Sequence, residues 1–171
     1  MRFSILSSLA LLVASVMADN RNITNNLGST PAMRHSINQE QAQQIVRAAA
    51  MQVNKIKSPS DIAVVDPAGY LVAFLRTDNA YLGSIDISMK KARTVALFNG
   101  ALTTAAWGTS AQPGGNVYGI EQTNGGLIVF GGGVPIFKDG YFIGAVGVSG
   151  GTVEQDIDIA TVGVNAVGTT M

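Results

Sequence analysis

The stretch Tyr141-Phe142-Ile143-Gly144-Ala145-Val146-Gly147-Val148-Ser149 carries no charge and is apolar or small along almost its whole length. A strand with one face in water alternates apolar and polar residues, so a strand without alternation is covered on both faces. Asp139-Gly140 before it is the favoured two-residue hairpin turn. Whatever else the chain forms, this strand belongs in the middle of a sheet with packed layers on either side.

The segments before it supply those layers. Ser36 with Gln39 is a capping-box pattern for a helix start. Ala42, Ile45, Val46, Ala49, Val53 and Ile56 then recur at three- and four-residue steps, and Ser58-Pro59-Ser60 ends the helix. Ile62–Val65 and Tyr70–Leu75 flank the tight turn Asp66-Pro67-Ala68-Gly69 and predict a β-hairpin. Ser84 is a candidate cap for a second helix to about Gly100, with Ile85, Met89, Ala92 and Ala96 on one face. Residues from Ala101 to Trp107 extend that helix or form a short separate one.

Seventeen of the 20 glycines lie from Gly100 onward, so the second half differs in character. Gly108–Gly126 predicts a long loop, and loops of that length in compact domains are often functional. Leu127–Phe130 predicts a strand, Gly131-Gly132-Gly133 a break, and Val134–Phe137 a further strand before the long apolar one. Thr152 with Gln155 opens a last helix, striped by Val153, Ile157, Ala160 and Val164. The order is α-β-β-α-β-β-β-α: an α+β fold with a mainly antiparallel five-stranded sheet packed with helices.

Residues 1–18 read as a signal peptide rather than fold: Arg2, an apolar run from Phe3 to Val16, and small residues before a cut at Ala18/Asp19. The run is too short to span a bilayer. Residues 19–35 follow as a flexible arm, and the domain occupies 36–171. Asn22-Ile23-Thr24 is a glycosylation sequon, so the expected address is secreted. Eleven Lys and Arg balance eleven Asp and Glu, leaving no basic footprint for nucleic acid. With no cysteine and one histidine, disulfides, thiolate metal sites and multi-histidine metal sites are excluded. No metal ligands are assigned.

Several residues are candidates for chemistry. Gly150-Gly151-Thr152 lies between a strand and a helix start, where unpaired amides form a site for an anion. Gly131-Gly132-Gly133-Val134-Pro135 reads as a bulge wall for a ligand pocket, or as a bulge that curves the sheet. Arg76 and Lys91 are candidates to hold an acidic small molecule through charge-assisted hydrogen bonds. Glu121, the one carboxylate of the long loop, and Asp78 are candidate general bases. His35 precedes the first helix, and a lone histidine in an arm is ordinarily exposed. Trp107 and the loop tyrosine Tyr118 suit stacking on a flat ligand or an interface.

Four segments carry a family resemblance. They are Ala63–Phe74 with Arg76-Thr77-Asp78-Asn79-Ala80, Lys91-Ala92-Arg93-Thr94, Gly131–Pro135, and Ile143–Gly151 with Glu154-Gln155-Asp156. Together they resemble the GlcG/HbpS-like family over residues 38–168. The resemblance implies a five-stranded antiparallel sheet related in shape to profilin-like domains and to the C-terminal domain of PduO-type proteins. It also implies a homo-oligomer and haem or a related tetrapyrrole as candidate ligand. Iron ligands in related domains are His or, unusually, Thr; the only histidine here, His35, lies outside the matching segments. The leading expectation is a secreted, oligomeric small-molecule-binding protein. Its pocket would be walled by Gly131–Pro135 and Ser149–Thr152. The alternative is a cofactor-independent acid–base enzyme, with Glu121 or Asp78 as base and the Gly150-Gly151 amides holding an oxyanion.

Overall fold

The computed structural model describes residues 30–170. The expected leader and Asn22 lie outside those residues. The main elements are α1 (Gln39–Ile56), β1 (Asp61–Val65), β2 (Leu71–Arg76), α2 (Leu82–Leu97), β3 (Gly133–Lys138), β4 (Tyr141–Ser149) and α3 (Val153–Asn165). Between α2 and β3 come 3-10 turns at Thr104–Trp107 and Ile120–Gln122 and a single α-turn at Gly108–Ala111.

The sheet is antiparallel throughout, in the order β2-β1-β4-β3. The apolar strand β4 is internal, as its lack of alternation requires, and Pro135 sits on the edge strand β3, where its missing N–H costs no ladder bond. Alternate residues of β1 point into different cores. Ile62 and Val64 join Ile45, Val146, Val148 and Ile159 beneath α1 and α3. Ala63 and Val65 join Ala92, Val95 and Ala145 beneath α2. Each fully buried Ile or Val side chain contributes roughly 1.5–3 kcal/mol through lost water contact.

Four strands form among the described residues, not five. Leu127–Phe130 is a loop because its amides are bonded elsewhere. The Leu127 N–H donates to the Glu121 carbonyl at 2.9 Å, and the Ile128 N–H to the Thr94 hydroxyl of α2 at 3.0 Å. Helix α1 starts two residues later than the Ser36 pattern suggests. The Ile37 N–H donates to the Ile143 carbonyl at 2.8 Å, so the chain stays extended there, and Asn38 and Gln41 form the capping box. Ser84 does not cap α2; it is buried within the helix, and Tyr81 stands at the N-cap without a side-chain bond. The Thr152–Gln155 capping box forms as the spacing predicts.

Candidate functional site

Strand register puts three polar side chains in one row. Asp61 of β1 faces Arg76 of β2 on one side and Ser149 of β4 on the other. Cross-strand neighbours project from the same face of a sheet, and here it is the α2 face, because Ala63 and Val65 point there too. Ser84 and Ser88 of α2 are buried against it. Asp61 is 0% exposed, and neither of its carboxylate oxygens has a hydrogen-bond partner. Burial pushes its carboxyl above the usual 3.8, and the nearby Arg76 charge acts the other way.

That burial predicts a stability gain when the carboxylate is replaced. Because folding raises its pKa, Asp61 binds its proton more tightly in the native state. Its contribution to stability is fully present below pH 3.8 and is lost as pH rises through the folded-state value. Asp61→Asn is therefore expected to raise stability at pH 7 by about 1 kcal/mol and to flatten the pH dependence above the ordinary carboxylate range. Urea unfolding of both proteins from pH 3.5 to 7.5 checks it; an equal slope with pH in the two would refute the assignment.

Deeper in the same end of the sheet lies an ion pair that the sequence conceals. Lys91 is 0% exposed. Its Nζ donates to Asp156 Oδ2 at 2.6 Å and to the Val148 carbonyl at 2.8 Å, and it lies 4.8 Å from the centre of the Phe130 ring. Burial pulls the Lys91 amine down and pushes the Asp156 carboxyl up, while their mutual hydrogen bond opposes both shifts. Asp156 Oδ1 accepts from the Gly151 N–H at 3.0 Å, and Gln155 Oε1 accepts from the Thr152 N–H at 2.9 Å. The amides read as an anion site thus hold carboxylate and amide oxygens from the first turn of α3.

The glycines are pressed against protein. A Cβ at Gly131 would meet Ile157 and Val153, one at Gly132 the Lys91 amine and Val148 carbonyl, and one at Gly133 the Thr104 side chain and Lys91 carbonyl. Gly150 and Gly151 abut Pro59, Ser60 and Ser58. Register therefore sets Arg76 and Ser149 on either side of Asp61, while Gly132 and Gly133 abut Lys91 itself and Gly151 is bonded to its partner Asp156. Asp78 lies with Arg76 on a separate cleft of about 520 Å³ between the end of α1 and the segment after β2. Glu121 is half-buried in its 3-10 turn, with Oε2 enclosed and unbonded. Trp107 packs on Phe98 at 4.8 Å between ring centres, while Tyr118 is exposed. Asp61 and Asp156 were missed: one flanks an apolar run and the other sits in a helix's first turn, and only register and packing show what they face.

His35 is at the other end of the sheet. Its ring lies 4.2 Å from that of Tyr141, at a hollow of about 150 Å³ that Gln41, Lys138 and Ile143 also line. Tyr141 and Ser149 terminate the nine-residue β4, so about 27 Å of strand separates the two ends. No group of three or more His, Cys, Asp or Glu side chains suited to a metal occurs among the described residues. No described helix is long and apolar enough to cross a membrane.

An internal apolar strand, helices on both faces and polar groups gathered at the strand ends define a small α+β domain. A family model described as haem degrading protein HbpS-like matches residues 37–165, and the chain belongs to that family. It is 36% identical over 138 residues to the corrinoid adenosyltransferase PduO of Citrobacter freundii, covering 80% of this chain but only 40% of PduO. It is 42% identical over 114 residues to a 15.0 kDa protein of the dhaT-dhaS intergenic region of the same organism, covering 66% of this chain and 77% of that one. The crystal structure of the PduOC–haem complex superposes with a TM-score of 0.73 at 33% identity, covering 78% of this chain and 96% of the other.

Proposed function

We propose that the protein is a secreted, oligomeric small-molecule-binding protein whose ligand is haem or a related tetrapyrrole. The likeness to PduOC, a domain solved with haem bound, carries this reading. The leader pattern at residues 1–18 and the sequon at Asn22 support secretion and glycosylation.

Haem needs a donor for its iron and cations for its carboxylates. Among the side chains first expected to form the pocket, Arg76, Lys91, Glu121 and Ser149–Thr152 include no imidazole, thiolate, phenol or thioether, and the Lys91 amine is bonded to Asp156 and Val148. The threonine hydroxyl there, on Thr152, caps α3 by accepting from the Gln155 N–H at 3.3 Å, so that end of the sheet suits an iron poorly. The hollow at His35 fits better because it offers an imidazole; on the same rim are the Lys138 ammonium, which donates to the Val167 carbonyl at 3.3 Å, and the Asp139 side chain. At about 150 Å³ the hollow takes one edge of the ligand and leaves the rest over the surface. Haem held there would supply one-electron and oxygen chemistry. The acid–base alternative draws less support, since the Gly150 and Gly151 N–H groups meant to hold the oxyanion already bond to the Asp156 carboxylate.

Titration with hemin is expected to give a saturable Soret shift, weakened tenfold or more by His35→Ala. His35 is exposed, so the variant should fold normally. A wild-type protein with no Soret shift sinks the haem reading, and full affinity in the variant sinks the role of His35.

A further inference from the structure

Lys91 and Asp156 lie at the end of the sheet away from His35 and take no part in the haem reading. We infer that Lys91 is a nucleophile that takes a short-chain alkyl aldehyde as an imine, with Phe130 as the side chain that admits the aldehyde and Asp156 as the proton carrier.

The surroundings of the amine carry this inference. An ammonium has three N–H bonds. Two of those on Lys91 are spent on Asp156 Oδ2 at 2.6 Å and the Val148 carbonyl at 2.8 Å, and the remaining close neighbour is a ring, that of Phe130, centred 4.8 Å from Nζ. Lys91 is 0% exposed, yet Phe130 is 43% exposed. The ring therefore touches the amine on one side and water on the other, and rotation of this one side chain opens a path to Nζ. Beside the ring the walls are apolar: a Cβ on Gly131 would meet Ile157 and Val153. Behind the amine stands backbone, since a Cβ on Gly132 would lie 2.6 Å from both Nζ and the Val148 carbonyl oxygen. The space a turned ring vacates suits a short alkyl chain, whereas a carboxylate brought there would face Asp156.

The electrostatics favour the chemistry. An exposed lysine is a poor nucleophile at neutral pH because its ammonium holds its proton to about pH 10.4. Burial pulls the Lys91 amine down and pushes the Asp156 carboxyl up. Both directions ease passage of one proton from Nζ to Oδ2, which leaves a neutral amine beside a neutral acid. The Nζ lone pair then attacks the aldehyde carbon. As the C–N bond forms, the carbonyl oxygen takes the proton held by Asp156, and Asp156 takes one back from the nitrogen. Asp156 next protonates the carbinol hydroxyl, which leaves as water while the C=N bond forms. The product is a protonated imine paired with the Asp156 carboxylate, and no oxidant or reductant is consumed.

Reductive trapping tests this on the intact protein. With propanal and cyanoborohydride at pH 7, peptide mapping is expected to find the N-propyl mark on Lys91 at least tenfold faster than on the exposed Lys55 and Lys57. Between pH 9 and pH 7 the rate at Lys91 should fall least. Phe130→Ala clears the entrance at an exposed position, so it should speed marking of Lys91 several-fold and leave Lys55 and Lys57 unchanged. Asp156→Asn keeps a hydrogen-bond acceptor but carries no proton, and should slow Lys91 tenfold or more in protein with the wild-type circular dichroism. If Lys91 is marked only after urea unfolds the chain, in wild type and Phe130→Ala alike, the proposal is overturned and the pair is purely structural. Marking of Lys91 at the same rate with and without the Phe130 ring overturns it too, as does full speed in folded Asp156→Asn. Hemin binding at His35 is read by absorbance and does not bear on this outcome.

Discussion

Replacing Lys91 with methionine is expected to cost about 3–5 kcal/mol of folding stability, because it strands a buried carboxylate. Asp156 is only 3% exposed. Without the ammonium 2.6 Å away, it keeps the Gly151 N–H and loses its counter-charge. Set against a total stability of about 5–15 kcal/mol for a domain of this kind, the loss could prevent accumulation of folded protein. A second variant keeps the test decisive. Lys91→Met with Asp156→Leu removes both charges, and exchanging a whole buried pair for apolar side chains is often close to neutral. The double variant is therefore expected to regain most of what the single one loses, read by urea unfolding midpoints. A single variant that loses less than about 1 kcal/mol, or a double variant no better than the single, would falsify the assignment of Asp156 as a carboxylate dependent on Lys91.

Much of the fold was legible because burial follows periodicity. The unalternating β4, the Asp139-Gly140 turn and the Thr152–Gln155 box each encode a local rule that tertiary structure does not override. The fifth strand failed because Leu127–Phe130 has strand composition but no ladder partner, its Ile128 amide being taken by Thr94. Lys91 was legible as a candidate, not as a buried one. The buried stripe of α2 includes Ser84, Ser88, Lys91 and Val95, helically spaced but mostly polar, so an apolar-face count slides past it. Asp61 reads as the polar flank of Ile62–Val65 until register sets it between Arg76 and Ser149. Candidate residues from distant segments could be named singly; their division between two ends of the sheet depended on pairing.

Gly147→Val is expected to cost about 3 kcal/mol, for a reason seated in backbone contact. A Cβ at Gly147 would collide with the Ser88 carbonyl and stand 2.5 Å from the Ala92 amide, so helix α2 lies directly on the strand. A flexible side chain could turn aside; a helix backbone cannot move without carrying Lys91, whose Nζ is bonded to Val148 one residue along β4. Gly147→Ala should already cost about 1–2 kcal/mol, and adding Ser88→Ala should not rescue it, because the obstacle is the Ser88 carbonyl rather than its hydroxyl. Gly108→Ala is the control: nothing lies within 4 Å of its added Cβ, and the change should stay within about 0.5 kcal/mol. Unfolding midpoints in urea decide the matter. Near-neutral Gly147→Ala, or rescue by Ser88→Ala, would mean that α2 is seated on β4 through side chains. The close backbone approach would then not be what delivers Lys91 to the end of the sheet.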